Sequence, residues 1–197
     1  MDIADAANTT ESGAPPELGN ATAEQPKVMP SAGDPAADSP SKVVVLDSNV
    51  WIDILVFNDP ASQPIRDALE QGQLDVVIDE PCLTELDRVL DYPQFVRFAV
   101  DKQQALAQIA QWTRHVVPAQ QTLAEQQAAS ARPILPRCSD RDDQKFLELA
   151  AASGAVWLVT KDKALLKLHK RLKRDFLCHI DRPAIFTKAF GLSASAE

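Results

Sequence analysis

The chain has 197 residues, 45% of them apolar, enough for one well-buried domain with sequence to spare and too little for two full domains. Its three cysteines (Cys82, Cys138, Cys178) form no CxxC pair and stand at no zinc-ligand spacing from His115, His169 or His179, which argues against a disulfide framework or a zinc site and suits a reducing cytosol. The net charge of -8 does not exclude nucleic acid, because residues 1–41 carry seven acids against one lysine and leave 21 acids against 19 bases in the remainder.

Residues 1–41 also hold six of the fourteen prolines and no aromatic residue. A segment so poor in core formers cannot bury enough surface to offset its ordering entropy, so it reads as a disordered N-terminal tail ahead of a domain spanning 42–197. No apolar run reaches the roughly eighteen residues a membrane span needs, and the first thirty residues lack a basic, then apolar, leader pattern. The expectation is a cytoplasmic protein with no membrane segment.

From Lys42 the texture changes. Val43 to Leu46 is a short β-branched run typical of a buried parallel strand. Ser48 to Phe57 reads as a helix, Asp59-Pro60 as a break, and Ser62 to Gln71 as a second helix closed by Gly72. Leu74 to Ile78 is the next strand, and Asp79 caps a helix with Pro81 in its first turn and an apolar stripe of Leu83, Leu86, Val89 and Leu90. Gln94 to Arg114 reads as broken or consecutive helices, His115 to Val117 as a brief strand, and Ala119 to Arg132 as loop or loose helix. Then follow a helix from about Ser139 to Ser153 stopped by Gly154, a strand Val156 to Thr160, a helix Lys163 to Arg174, a strand near Phe176 to Ile180, and a short helix around Ala184 to Phe190. Strands alternating with helices imply an α/β fold, a parallel sheet with helices on both faces.

In open parallel sheets, function gathers at the carboxyl ends of the strands. Asp47 directly follows the first strand and Asp162 lies two residues beyond Val156 to Thr160. Either alone reads as a helix cap. On the helix expected over Ser139 to Ser153, however, Asp143 projects into the arc of Phe146, Leu147, Leu149 and Ala150. Asp142 falls toward that arc and Asp140 just outside it, so periodicity does not choose among the three. Glu85 borders the apolar stripe of its own helix. Buried carboxylates that converge repel one another unless a cation joins them, and an all-oxygen cluster suits Mg²⁺ or Mn²⁺.

The segments Val44 to Val50 (VVLDSNV), Leu83 to Leu86 (LTEL), Ser139 to Ala150 (SDRDDQKFLELA) and Leu158 to Leu166 (LVTKDKALL) resemble, in this order and spacing, the PIN-domain family of nucleases. The likeness is to the bacterial branch described as toxins of toxin–antitoxin pairs. It implies a three-layer α/β/α fold around a parallel sheet of about five strands. It also implies that Asp47, Glu85, Asp143 and Asp162 are the catalytic, metal-binding acids, that Asn49 and Thr160 support the first and last of them, and that Asp140 is an accessory ligand. The implied activity is divalent-metal-dependent cleavage of RNA. The partners to consider are RNA, an antitoxin protein and a second copy of the chain.

One feature comes from helical geometry alone. Lys163, Lys167, Lys170, Arg171 and Arg174 fall on one side of the helix after Asp162, opposite Ala164, Leu165, Leu168 and Leu172. Beside an acidic metal cluster this basic stripe reads as a path for RNA phosphates. Lys145 reads as a solvated surface lysine sooner than as a phosphate contact, and Trp51, Trp112 and Trp157 as core sooner than as stacking platforms. A dehalogenase-like phosphatase would need a second aspartate where Asn49 stands, and a receiver domain an acidic pair after its first strand. The remaining alternatives are a housekeeping RNA-processing nuclease and a non-catalytic RNA- or protein-binding module of the same fold.

Overall fold

The computed structural model describes residues 42–117 and 133–192, so the expected tail over 1–41 and the whole loop expected over Ala119 to Arg132 lie outside the described residues. The valine-rich run forms strand β1 (Val43–Leu46), from which the chain enters helix α1 (Ser48–Ile52). Helix α1 runs on into a π-helical turn (Asp53–Phe57) that ends at Asn58 in the left-handed conformation (φ 49°). Helix α2 (Gln63–Glu70) takes Pro64 in its first turn and ends at Gly72, whose φ of 66° favours glycine. Strand β2 (Asp75–Ile78) leads to Asp79, whose carboxylate accepts the Cys82 N–H (3.0 Å) and so caps helix α3 (Glu80–Leu90).

After a 3₁₀ turn (Pro93–Phe98), helix α4 (Lys102–Trp112) feeds directly into strand β3 (Thr113–His115). This strand lies two residues earlier than the sequence suggests, because the helix stops at Trp112 and Thr113 is already extended (φ -123°, ψ 151°). Helix α5 (Gln144–Ser153) begins later than expected. Residues 139–143 form a bend and a turn, in which the Asp140 carboxylate accepts the Asp142 N–H (2.9 Å) and the Gln144 side chain accepts the Cys138 N–H (2.8 Å). Such local side-chain bonds compete with a helical start.

Strand β4 (Trp157–Val159) is followed by helices α6 (Lys163–Leu166) and α7 (His169–Phe176), where the sequence suggests one continuous helix. The break falls at Lys167-Leu168: the Leu168 N–H turns to the Leu165 carbonyl, and the His169 ring takes the Leu166 carbonyl (Nδ1 to O 3.0 Å). Strand β5 (His179–Asp181) and helix α8 (Pro183–Phe190) complete the described fold.

The five strands lie in the order β3-β2-β1-β4-β5, all parallel, with Val44 opposite Val76 on one side and Trp157 on the other. Helices flank the sheet in a three-layer α/β/α arrangement. Helix α5 packs on β1 and β4, α3 on α1 and α5, and α8 on β4. Trp51, Phe146, Leu147, Leu158, Leu165 and Phe186 are fully buried in the core between these layers, whereas Trp112 and Trp157 are half-buried at its margin. No helix among the described residues is long and apolar enough to cross a membrane.

Candidate active site

The chain winds from β1 through β2 to β3 on one side, then crosses to β4 and β5 on the other. The winding reverses between β1 and β4, and the crevice at the carboxyl ends of such a strand pair is where parallel sheets hold ligands. Asp47 stands at the end of β1, Thr160, Lys161 and Asp162 at the end of β4, and the two strand ends are tied directly by the Asp47 N–H donating to the Val159 carbonyl (3.0 Å).

Asp47 is 3% exposed and caps α1. The Thr160 hydroxyl and the Asn49 amide both donate to its Oδ2, and the Asn49 N–H to its Oδ1 (3.3 Å). Burial pushes its carboxyl up to about 6 against the pull of those hydrogen bonds, with the negative charge of Glu85 adding to the rise. Thr160 Oγ1 accepts the Asp162 N–H (2.8 Å), so one hydroxyl serves both the first and the last acid. Asn49 likewise turns its Oδ1 to the Lys161 N–H (3.0 Å). Asp162 caps α6, its Oδ1 accepting from Ala164 (2.6 Å) and Leu165 (3.0 Å).

Asp143 immediately precedes α5, half-buried, with no hydrogen bond to its side chain among the described residues. Burial and then the fields of Asp47, Asp162, Asp140 and Glu85 push its carboxyl up to about 7. Where periodicity left Asp140, Asp142 and Asp143 open, the structure turns Asp143 inward and exposes the other two. Glu85 reaches the same region from α3. Its Oε2 is buried without a directed hydrogen bond, and the Lys145 ammonium is its ion-pair partner. Lys145 is thus no solvated surface lysine: its side chain is only 18% exposed.

The basic stripe divides in two. Lys163, Lys167 and Lys170 are exposed and form no ion pair among the described residues, whereas Arg174 is clasped to Asp175 (2.6 Å) and Arg171 is shared between Asp175 (3.7 Å) and the Ile134 carbonyl (3.4 Å).

Sequence reasoning passed over one element of the site. Asp53, 2% exposed, receives the Lys161 ammonium (2.6 Å) and the Ser62 hydroxyl (3.4 Å). Lys161 is thereby held at both ends, by Asn49 at its backbone and by Asp53 at its side chain. Asp53 is the sole charged residue between Ser48 and Phe57 in an otherwise apolar stretch, and that isolation was the available signal.

Among the described residues no three His, Cys, Asp or Glu side chains stand close enough to share one ion. Asp47 is held by Asn49 and Thr160, Asp162 by the start of α6, and Glu85 by Lys145. The chemistry of the donors nevertheless fits a hard divalent cation: every candidate atom is a carboxylate oxygen, and two of the carboxyls titrate high, Asp143 with no donor to its side chain among the described residues.

Among curated proteins none matches the chain. The model of the PIN domain matches residues 43–164, more than half of its length. The match runs from the start of β1 into α6 and takes in Asp47, Glu85, Asp143 and Asp162. On this match the chain belongs to the PIN-domain family, whose domains generally act as nucleases.

Proposed function

We propose that the chain is a metal-dependent endoribonuclease that uses Mg²⁺ or Mn²⁺ and serves as the toxin of a toxin–antitoxin pair. The observation that carries the catalytic reading is the setting of Asp143, a half-buried carboxylate with no hydrogen-bond donor among the described residues and four other acids acting on it. A binding module gains nothing from crowding acids at the switch point of a sheet, since each costs desolvation and mutual repulsion. The toxin assignment rests on the likeness of the four motif segments to that branch, and the reducing compartment on three cysteines that are free and buried.

In this reading a divalent ion supplies a bound water of lowered pKa and charge neutralisation at the phosphate. Asp47, Asp143, Asp162 and Glu85 are the residues that would hold it. Asn49 and Thr160 fix the Asp47 carboxylate, and Thr160 carries that alignment across to the backbone of Asp162. Asp140 holds the turn that delivers Asp143. Lys163, Lys167 and Lys170 lead RNA phosphates toward the acids, while Arg171 and Arg174 enter this path only by leaving Asp175. Incubating mixed RNA with the full chain and Mg²⁺ or Mn²⁺, against the same reaction with chelator, tests the activity. Cleavage only with metal supports it, and intact RNA in both arms with a folded protein overturns it. Neutralisation by the product of a small neighbouring gene tests the toxin reading.

A further inference from the structure

Four acids surround the switch point, and among the described residues a single cation pairs with any of them. Lys145 rises from the first turn of α5, two residues after Asp143, and its ammonium lies against the Glu85 carboxylate of α3. Neither partner is a surface group, with 18% and 15% of their side chains exposed. The ammonium also donates to the Asp142 carbonyl and sits 5.1 Å from the centre of the Phe146 ring, so it is anchored on three sides. Surface lysines keep a hydrated ammonium free at the end of a flexible apolar stem, and this one gives up that freedom to stand inside an acidic site.

We propose that Lys145 is a tethered counter-ion of the acid site: paired with Glu85 across α3 and α5, its ammonium occupies the place of a divalent ion, and Glu85 reaches such an ion only when Lys145 releases it. The inference rests on the metal-dependent reading above and deepens it by naming a residue that competes with the metal. A positive charge this close to one of four acids weakens the attraction of the set for a second cation, so the chain binds its metal less tightly than the acids alone would. The same pair holds the acids together when no metal is present, since an uncompensated Glu85 would repel Asp47 and Asp143, both of which feel its field. An ordinary structural ion pair between two helices shares the second consequence but has no effect on metal affinity.

Calorimetric titration of the full chain with Mn²⁺, in wild type, Lys145→Met, Lys145→Gln, Glu85→Gln and Lys145→Met combined with Glu85→Gln, separates the two. The expected result is about tenfold tighter Mn²⁺ binding in both single variants at Lys145, a lower melting temperature in chelator, and no gain in the combined variant over Glu85→Gln alone. Lys145→Gln keeps a hydrogen-bonding partner for Glu85, so it reports the charge where the methionine variant fails to fold. Unchanged or weaker Mn²⁺ binding at a folded Lys145 variant overturns the proposal, as does a gain that persists without Glu85. A wild type that binds no Mn²⁺ removes the metal reading and the inference together, whereas wild-type binding with no gain in the variants removes the inference alone.

Discussion

Asp47 and Asp143 are the same residue type in the same crevice, yet they are built differently. Asp47 is nearly sealed from solvent and offsets its burial with bonds from Asn49 and Thr160, which hold its carboxyl near 6. Asp143 is less buried but has no donor among the described residues, and every influence named on its carboxyl pushes upward, to about 7. The first corner is complete as the protein folds; the second has no donor among the described residues to offset its charge. Hydrogen bonds make the Asp47 carboxylate part of the structure, and their lack makes Asp143 the more responsive group.

The largest effect that sharpens this contrast is on cleavage. If the chain is the metal-dependent nuclease proposed above, Asp47→Asn and Asp143→Asn should each lower the rate of RNA cleavage by roughly a thousandfold or more, since each removes a charge that would hold the metal. Their stabilities should differ: Asp143→Asn melts at or above the wild type in chelator, while Asp47→Asn melts below it, because an amide whose oxygen accepts from Thr160 and the Asn49 side chain turns its NH2 toward the Asn49 N–H that Oδ1 accepted. Equal melting shifts in the two variants would erase the distinction.

A smaller effect concerns pH. Both carboxyls titrate higher in the folded chain than the ordinary value near 3.8, so between there and about 7 the folded state binds protons that the unfolded state has released. The stability of the metal-free chain should therefore fall as pH rises through that window, and the fall should be shallower in Asp143→Asn. Melting curves in chelator from about pH 4.5 to about 7.5 check the sign, and a rise over that range contradicts it.

The smallest effect lies on the basic stripe. Lys167→Ala with Lys170→Ala should weaken binding to all RNA sequences alike and lower the salt slope by roughly 0.7 for each single-strand phosphate that the variant no longer neutralises. Arg174→Ala should change the slope less, because that guanidinium is already engaged by Asp175. RNA affinity at several salt concentrations reads both.

The sheet and the strand-end acids were legible because they rest on local signals, the β-branched run before Asp47 and the caps at Asp79 and Asp162, each of which the structure reproduces. The start of α5 and the break between α6 and α7 were not, since both depend on side chains competing for backbone groups, Asp140 at the Asp142 N–H and His169 at the Leu166 carbonyl. Helical periodicity assumes an uninterrupted helix, so it joined the basic residues into one stripe. The partners of Lys145 and Lys161 were beyond any window, because Glu85 and Asp53 stand 60 and 108 residues away along the chain and only the packing of distant elements brings them near.

That separation has a consequence for when the site is assembled. The Asp47 carboxylate meets Thr160 across 113 residues, Asn49 meets Lys161 across 112, and Asp53 meets Lys161 across 108. A ribosome adding about 5–20 residues per second has Asp47 synthesised on the order of ten seconds before Thr160 exists. During that interval the emerging chain carries the first acid without the hydroxyl that aligns it and without Asp162. Strand β4 must slide in beside β1 before the two corners face each other, and loop closure of this length is the slow part of assembling such a sheet. If the chain is the ribonuclease proposed above, an incomplete chain cannot cut the messenger RNA that encodes it, because the two acid-bearing strand ends meet only late in folding.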